Sequence, residues 1–203
     1  VEQLAALTRE YESPKFPYLD HFYCGLLGFF GYDFIRYIED LPDNNPDTIG
    51  LPDLDLSAPG EVIVFDHLKN ELSVIVNVFS DSGSGEYGRA VAKIGAIIDE
   101  IQNPAVPKLA SVHPESLRFV SQTEKDIFCQ SVEKAKAYIR DGDIFQVVLS
   151  QRFTADYEGD ALPVYRALRK VNPSPYLFCI QLEDAAVVGS SPEMLVRVTD
   201  GKI

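Results

Sequence analysis

Cysteine is scarce in this chain. Cys24, Cys129 and Cys179 are odd in number, widely spaced and free of any C-x-x-C pair. That excludes a disulfide framework and predicts reduced thiols in a cytoplasmic protein. Histidine is equally rare. His21 lies three residues before Cys24, but no two further ligands stand near to complete a tetrahedral site, so no metal ligand is assigned. Basic residues are the minority, 18 against 31 acidic, for a net charge of −13. Such a field repels polyanions and excludes nucleic acid as a partner. No apolar run reaches the roughly 18 residues of a membrane span, and the first residues do not read as a signal peptide.

What is present is an ordinary globular composition, 46% hydrophobic and 24% charged over 203 residues. That is enough for one large domain or two small ones. Residues 1–11 carry Leu4, Leu7 and Tyr11 at helical spacing until Ser13-Pro14 stops them. Residues 21–30, apolar and aromatic, predict a buried strand, and 34–41 a short helix closed by Pro42. The Pro, Asp and Asn content of 40–59 predicts a surface loop. Across 61–79, alternating Val and Leu on either side of Lys69-Asn70 predict a hairpin. Val91, Ile94, Ile98 and Ile101 then share one face of a helix over 87–102.

Residues 103–115 hold three prolines and no period, which marks an internal boundary. The expected division is residues 1–108, a linker at 109–120 and a second region at 121–203. In the latter, Phe128, Val132, Ala135 and Ile139 predict a helix over 123–141, closed by Gly142. Residues 144–153 predict a strand, 162–171 a helix with Asp160 as N-cap, and 176–182 with 185–189 a hairpin around Glu183-Asp184. A last strand is expected over 194–198. Asp200-Gly201 is then a two-residue hairpin turn that calls for a returning strand, and only Lys202 and Ile203 follow. The sequence therefore reads as a fragment.

Several stretches could carry chemistry, each beside a plainer explanation. Glycines at 25, 28 and 31 do not match the dinucleotide-binding pattern and are read as close packing of a strand on its neighbours. Asp33, Arg36 and Glu39, three apart, are read as a charge ladder along one helix face. In 144–153, Phe145, Val147, Leu149 and Phe153 fall on one side, with Gln151 the polar exception. Gln146, Ser150 and Arg152 fall on the other with Ile144 and Val148. A strand lining a cavity and a half-exposed sheet share that pattern. The corner 172–176 is stiffened by Pro173 and Pro175. It is either a helix stop or a binding corner for an amino or ring N–H group. The small, hydroxyl-rich turn 189–193 ends on Glu193. No Ser/His/Asp, Cys/His or HExxH arrangement occurs.

Four of these stretches together resemble the chorismate-binding enzyme family: GLLGFFGYDFIRYIEDLP (25–42), AYIRDGDIFQVVLSQRF (137–153), NPSPYLF (172–178) and GSSPEMLVRV (189–198). They are most similar to the large subunits of anthranilate synthases; those of aminodeoxychorismate synthases are the alternative. The resemblance implies an α+β fold of large antiparallel sheets packed as a sandwich with helices outside. It implies Mg2+-dependent conversion of chorismate and ammonia to anthranilate and pyruvate. The ammonia would be supplied from glutamine by an amidotransferase subunit. Relatives that add water carry a lysine general base where this chain has Gln146, which disfavours isochorismate or salicylate synthesis. By resemblance Pro175, Tyr176 and Leu177, with Asn172 nearby, form part of a tryptophan feedback site; Leu177 stands where methionine is common. Gln146 and Glu193 line the substrate cleft. The family's magnesium-binding glutamates and catalytic residues belong beyond Ile203, so no catalytic residue and no Mg2+ ligand is assigned within the chain. A free-standing ligand-binding regulatory module and a purely structural acidic domain are the other readings.

Overall fold

The computed structural model describes residues 2–19, 21–79, 81, 83–105, 117–199 and 201–203. The chain divides into two compact units, Val1–Pro107 and Lys108–Ile203. Most of the expected linker lies outside the described residues.

The first unit opens on helix α1 (Glu2–Glu10), where the periodic leucines predict it. Strand β1 is short, Leu27–Phe30, rather than the ten residues expected. The reason is local: Gly25 turns the backbone at φ +117°, and the residues before it are held by the turn that follows α1. Tyr23 there donates its hydroxyl to the Pro14 carbonyl (2.8 Å), and the Cys24 thiol to that of Tyr11 (3.3 Å). β1 pairs antiparallel with β2 (Leu54–Ser57), near the end of the stretch expected to be loop. Leu54 and Leu56 are too few to give a periodic signal of their own; the pairing with β1 makes the strand. Gly28 lies opposite Leu56, and a Cβ there would sit 1.9 Å from the Asp55 carbonyl oxygen. The close-packing reading of the glycines holds at this position.

Between the two strands, Tyr32–Tyr37 forms a 3-10 helix, tighter and earlier than the helix expected. Arg36 donates to Asp33 (2.7 Å), as the charge ladder predicts. It then turns to the Leu41 and Pro42 carbonyls rather than to Glu39. β3 (Glu61–Asp66) and β4 (Glu71–Val76) form the expected hairpin, with Asn70 at φ +55° in its turn. Helix α2 (Glu86–Gln102) packs on β4. Its inward face differs from the expected one. Ala90 is buried and Ile94 and Ile97 are half-buried, whereas Val91 is 51% exposed. The small Ala90 side chain lets the helix approach the hairpin along its own row, which turns Val91 outward.

In the second unit, α3 (Lys125–Asp141) ends on Gly142 in the left-handed region (φ +83°), as predicted. Phe128, Val132 and Ala135 face inward, while Ile139 is exposed. β5 (Val120–Ser121) and β6 (Phe153–Thr154), which flank it in sequence, pair with each other. The strand expected over 144–153 is reduced to that last pair. Residues 144–152 belong to no helix or strand, and Phe145 and Val148 are 91% and 84% exposed. A strand needs a neighbour to take its backbone hydrogen bonds; among the described residues only the Arg152 carbonyl, at the end of the stretch, has one, accepting from the Gln122 N–H (2.9 Å).

Helix α4 (Ala161–Val171) packs on the hairpin β7 (Tyr176–Gln181) and β8 (Ala186–Ser191). Asp160 occupies the N-cap position, but its side chain does not bond the helix. Residues 194–198 are likewise no strand, although the expected turn forms: Thr199 and Lys202 exchange backbone hydrogen bonds of 2.8 and 3.0 Å.

The α+β class is therefore as expected, with sheet present among the described residues as four two-stranded pieces. Among the described residues only Ala90 and Ala135 are buried hydrophobics. The chain exposes 17195 Å². Two separate compact bodies of half its mass would expose about 11,500 Å².

Candidate functional site

The helix–strand corner between α4 and β7 carries most of the residues that sequence singles out. Val171 ends α4 because Pro173 cannot continue the hydrogen-bond ladder. Asn172 closes the helix with its N–H on the Leu168 carbonyl (2.8 Å). The Ser190 hydroxyl lies 2.7 Å from the Asn172 carbonyl and 2.9 Å from the Ser174 hydroxyl. One hydroxyl has one proton. Ser190 gives it to the carbonyl and accepts the proton of Ser174. The stretches 172–178 and 189–198, separate in sequence, thus meet at one polar knot.

β7 then pairs in register with β8, Tyr176 opposite Ser191 and Leu177 opposite Ser190. Successive strand residues point to opposite faces. Tyr176, which is exposed, and Leu177, which is half-buried, therefore present to two different sides of the hairpin. Pro175 is exposed at its mouth. A ligand bound beside Tyr176 would touch Leu177 through backbone. The turn that follows is less open than its composition suggests. A Cβ at Gly189 would lie 2.1 Å from Cζ of Phe178, so the chain's own ring covers that glycine. Ser191 donates to the Glu193 carbonyl (3.1 Å).

Gln146 and Glu193 are both exposed, and neither side chain has a hydrogen-bonding partner among the described residues. Their neighbour Gln151 is the anchored member of its stretch, donating to the Ser121 hydroxyl and, at 3.3 Å, to the Thr123 carbonyl. Ser174 and Ser190 were not singled out by sequence, since no local pattern links hydroxyls 16 residues apart.

A recess of about 590 Å³ is lined by Pro163, Arg166, Ala167, Arg169 and Lys170. None of these is a predicted site residue. Arg169 lies over the Tyr165 ring at 5.9 Å. Cations in the last turn of α4 answer the negative end of the helix dipole, which is explanation enough. No group of three His, Cys, Asp or Glu side chains among the described residues is arranged to hold a metal ion. Among the described residues no helix is long and apolar enough to cross a membrane.

An α+β framework carrying this corner and turn defines a class: the chain belongs to the chorismate-binding enzyme family, whose description, chorismate binding enzyme, matches residues 2–203. It is similar to anthranilate synthase component 1 of Acetivibrio thermocellus, 40% identical over 99% of this chain and 42% of that protein. The namesake from Acinetobacter calcoaceticus is 43% identical over 91% and 38%. Among solved structures, anthranilate synthase component I from Streptococcus pneumoniae TIGR4 superposes with a TM-score of 0.80 at 35% identity. The match covers 98% of this chain and 45% of that one. The chain spans about two fifths of the length of such relatives.

Proposed function

We propose that this chain is part of an anthranilate synthase large subunit. The whole protein would convert chorismate and ammonia to anthranilate and pyruvate in tryptophan biosynthesis. An amidotransferase subunit would release the ammonia from glutamine. The observation that carries the reading is the polar knot. It joins the corner at 172–177 to the turn at 189–193, so two of the stretches that carry the resemblance form one piece of structure.

The same corner is the proposed feedback site. Tryptophan would lie beside Pro175 and the Tyr176 ring, with its polar atoms on the backbone that Asn172 and Ser190 hold. Leu177 would contribute through backbone, because its side chain faces the other side of the hairpin. Gln146 is a primary amide and cannot take a proton at neutral pH. That agrees with ammonia as the incoming nucleophile, which needs no general base. Gln146 and Glu193 are assigned to the wall of the substrate cleft. Family magnesium would be held by residues outside this chain, and no step of the chemistry is assigned to the carboxylates within it.

The test uses a full-length protein that contains this chain, supplied with chorismate, ammonium and magnesium, with products identified by mass. Anthranilate and pyruvate, suppressed by tryptophan, are expected. Replacing Pro175 with Ala should weaken the suppression and leave turnover in its absence intact. Aminodeoxychorismate as product would move the chain to the folate-pathway relatives. Unchanged chorismate would leave a ligand-binding module without catalysis.

A further inference from the structure

The two units differ in charge. Residues 1–107 hold 18 acidic side chains against 6 basic, a net charge of −12, whereas residues 108–203 hold 13 against 12, a net charge of −1. Most cations of the first unit are already engaged by carboxylates close at hand. Arg36 meets Asp33 (2.7 Å) and Asp43 (3.8 Å), Lys69 meets Asp66 (3.7 Å), Arg89 meets Glu86, and Lys93 meets Glu61 (3.0 Å). Much of the other acidic charge stands where it works against the fold. Asp66 and Glu71 lie directly opposite each other in the β3–β4 register, a position where like charges repel. Asp99 and Glu100 occupy the last turn of α2, which has no basic residue, at the negative end of its dipole. Glu39 and Asp40 follow the 3-10 helix. Glu39, Asp40, Asp99 and Glu100 are exposed, and none has an ion-pair partner among the described residues.

We propose that the first unit is a salt-dependent element, its folded form relying on screening by mobile cations, while the second unit keeps its fold without them. The range of the repulsion decides this. At about 0.01 M ionic strength charges interact over roughly 30 Å, well beyond the radius of gyration of a body of this size, about 13 Å. Carboxylates anywhere in the unit then repel one another. At about 1 M the range falls to roughly 3 Å, and only the close ion pairs still act. Weakening those pairs matters little, because pairs reached by solvent contribute little in water. The net effect of salt on the first unit is therefore stabilising. In the second unit attraction and repulsion nearly cancel, so salt has little to act on. The effect needs no discrete cation site, and among the described residues no three His, Cys, Asp or Glu side chains group to form one. The inference rests on charge and its placement, and it holds whichever product the whole protein makes.

The experiment follows amide exchange in a full-length protein that contains this chain, in sodium chloride from about 0.02 to about 0.5 M. Exchange at β4 should slow about tenfold across that range, as local opening becomes rarer, and exchange at β7 should change by less than about twofold. Choline chloride at equal ionic strength should act as sodium chloride does, since screening does not depend on which cation supplies it. A second arm removes charge. Glu39→Gln, Asp40→Asn, Asp99→Asn and Glu100→Gln together alter exposed side chains without ion-pair partners among the described residues and bring the first unit from −12 to −8. The response at β4 should then shrink to about threefold. Equal responses at β4 and β7 overturn the proposal, and so does an undiminished response in the neutralised variant. A response to sodium but not to choline also overturns it, because it would mean a specific cation site. Sulfate far outdoing chloride at equal ionic strength would overturn it too, since that marks exclusion of the salt from the surface rather than screening.

Discussion

In the first unit the β3–β4 hairpin precedes the helix that packs on it; in the second the β7–β8 hairpin follows α4. The two are tied down differently. After β4, Asn77 spends both amide protons on backbone, reaching the Tyr23 and Pro59 carbonyls at 2.9 Å each, while its N–H reaches Gly60 (2.7 Å). One side chain thus fastens three segments. Lys93 of α2 adds an exposed ion pair to Glu61 (3.0 Å), worth little in water. At α4 the tie is the hydroxyl pair Ser190–Ser174, confined to the helix–strand corner. The first unit is fastened where its core would otherwise be thin, the second where its candidate site lies.

The sharpest way to separate the units is by their close glycines. Gly28→Ala drives a Cβ into the Asp55 carbonyl, which belongs to fixed backbone. It should cost the first unit about 3 kcal/mol. Gly189→Ala meets only the Phe178 ring, which can swing away, and should cost the second unit about 1 kcal/mol. Urea titration followed by amide exchange in each unit would show it. Equal losses would remove the distinction.

Next come the ties. Asn77→Ala strands two half-buried carbonyls and should cost about 2 kcal/mol. Ser190→Ala loses one donated and one accepted bond at an exposed corner and should cost about 1 kcal/mol. Exchange at β4 should quicken in the former and at β7 in the latter. Crossed effects would contradict the assignment.

The smallest effect concerns two carboxylates. Asp47 is held below the usual carboxylate range by the backbone N–H groups of Gly50 and Ile49, and Glu133 by the ammonium of Lys136. Both favour the folded form when ionised. Their support is present above the ordinary carboxylate pKa and is lost as pH falls through the depressed value. Salt should lift the Glu133 titration toward normal, since a mobile cation is easily screened. The Asp47 titration, set by fixed backbone donors, should barely move. NMR titration at low and high salt reads both.

Elements built on local pattern were legible in the sequence. The β3–β4 alternation, the α3 periodicity with Gly142, and the 176–191 hairpin each depend on residues close together. What failed depended on distant partners. β2 exists because β1 lies beside it, and 144–151 stays irregular because among the described residues no strand pairs with it. The candidate site divides the same way. The corner at 172–176 was visible from its prolines, whereas the Ser190 tie spans 18 residues to Asn172 and leaves no local mark.

The pairing of β5 with β6 has a consequence in time. The β3–β4 and β7–β8 strands are joined by a few residues and can zip within about 1–10 μs. Val120–Ser121 must instead wait for Phe153–Thr154, with α3 and the bare stretch after it between them. On a ribosome adding roughly 5–20 residues per second, that waiting lasts seconds. Throughout it α3 can form, but the strand that pairs with β5 has not yet been made.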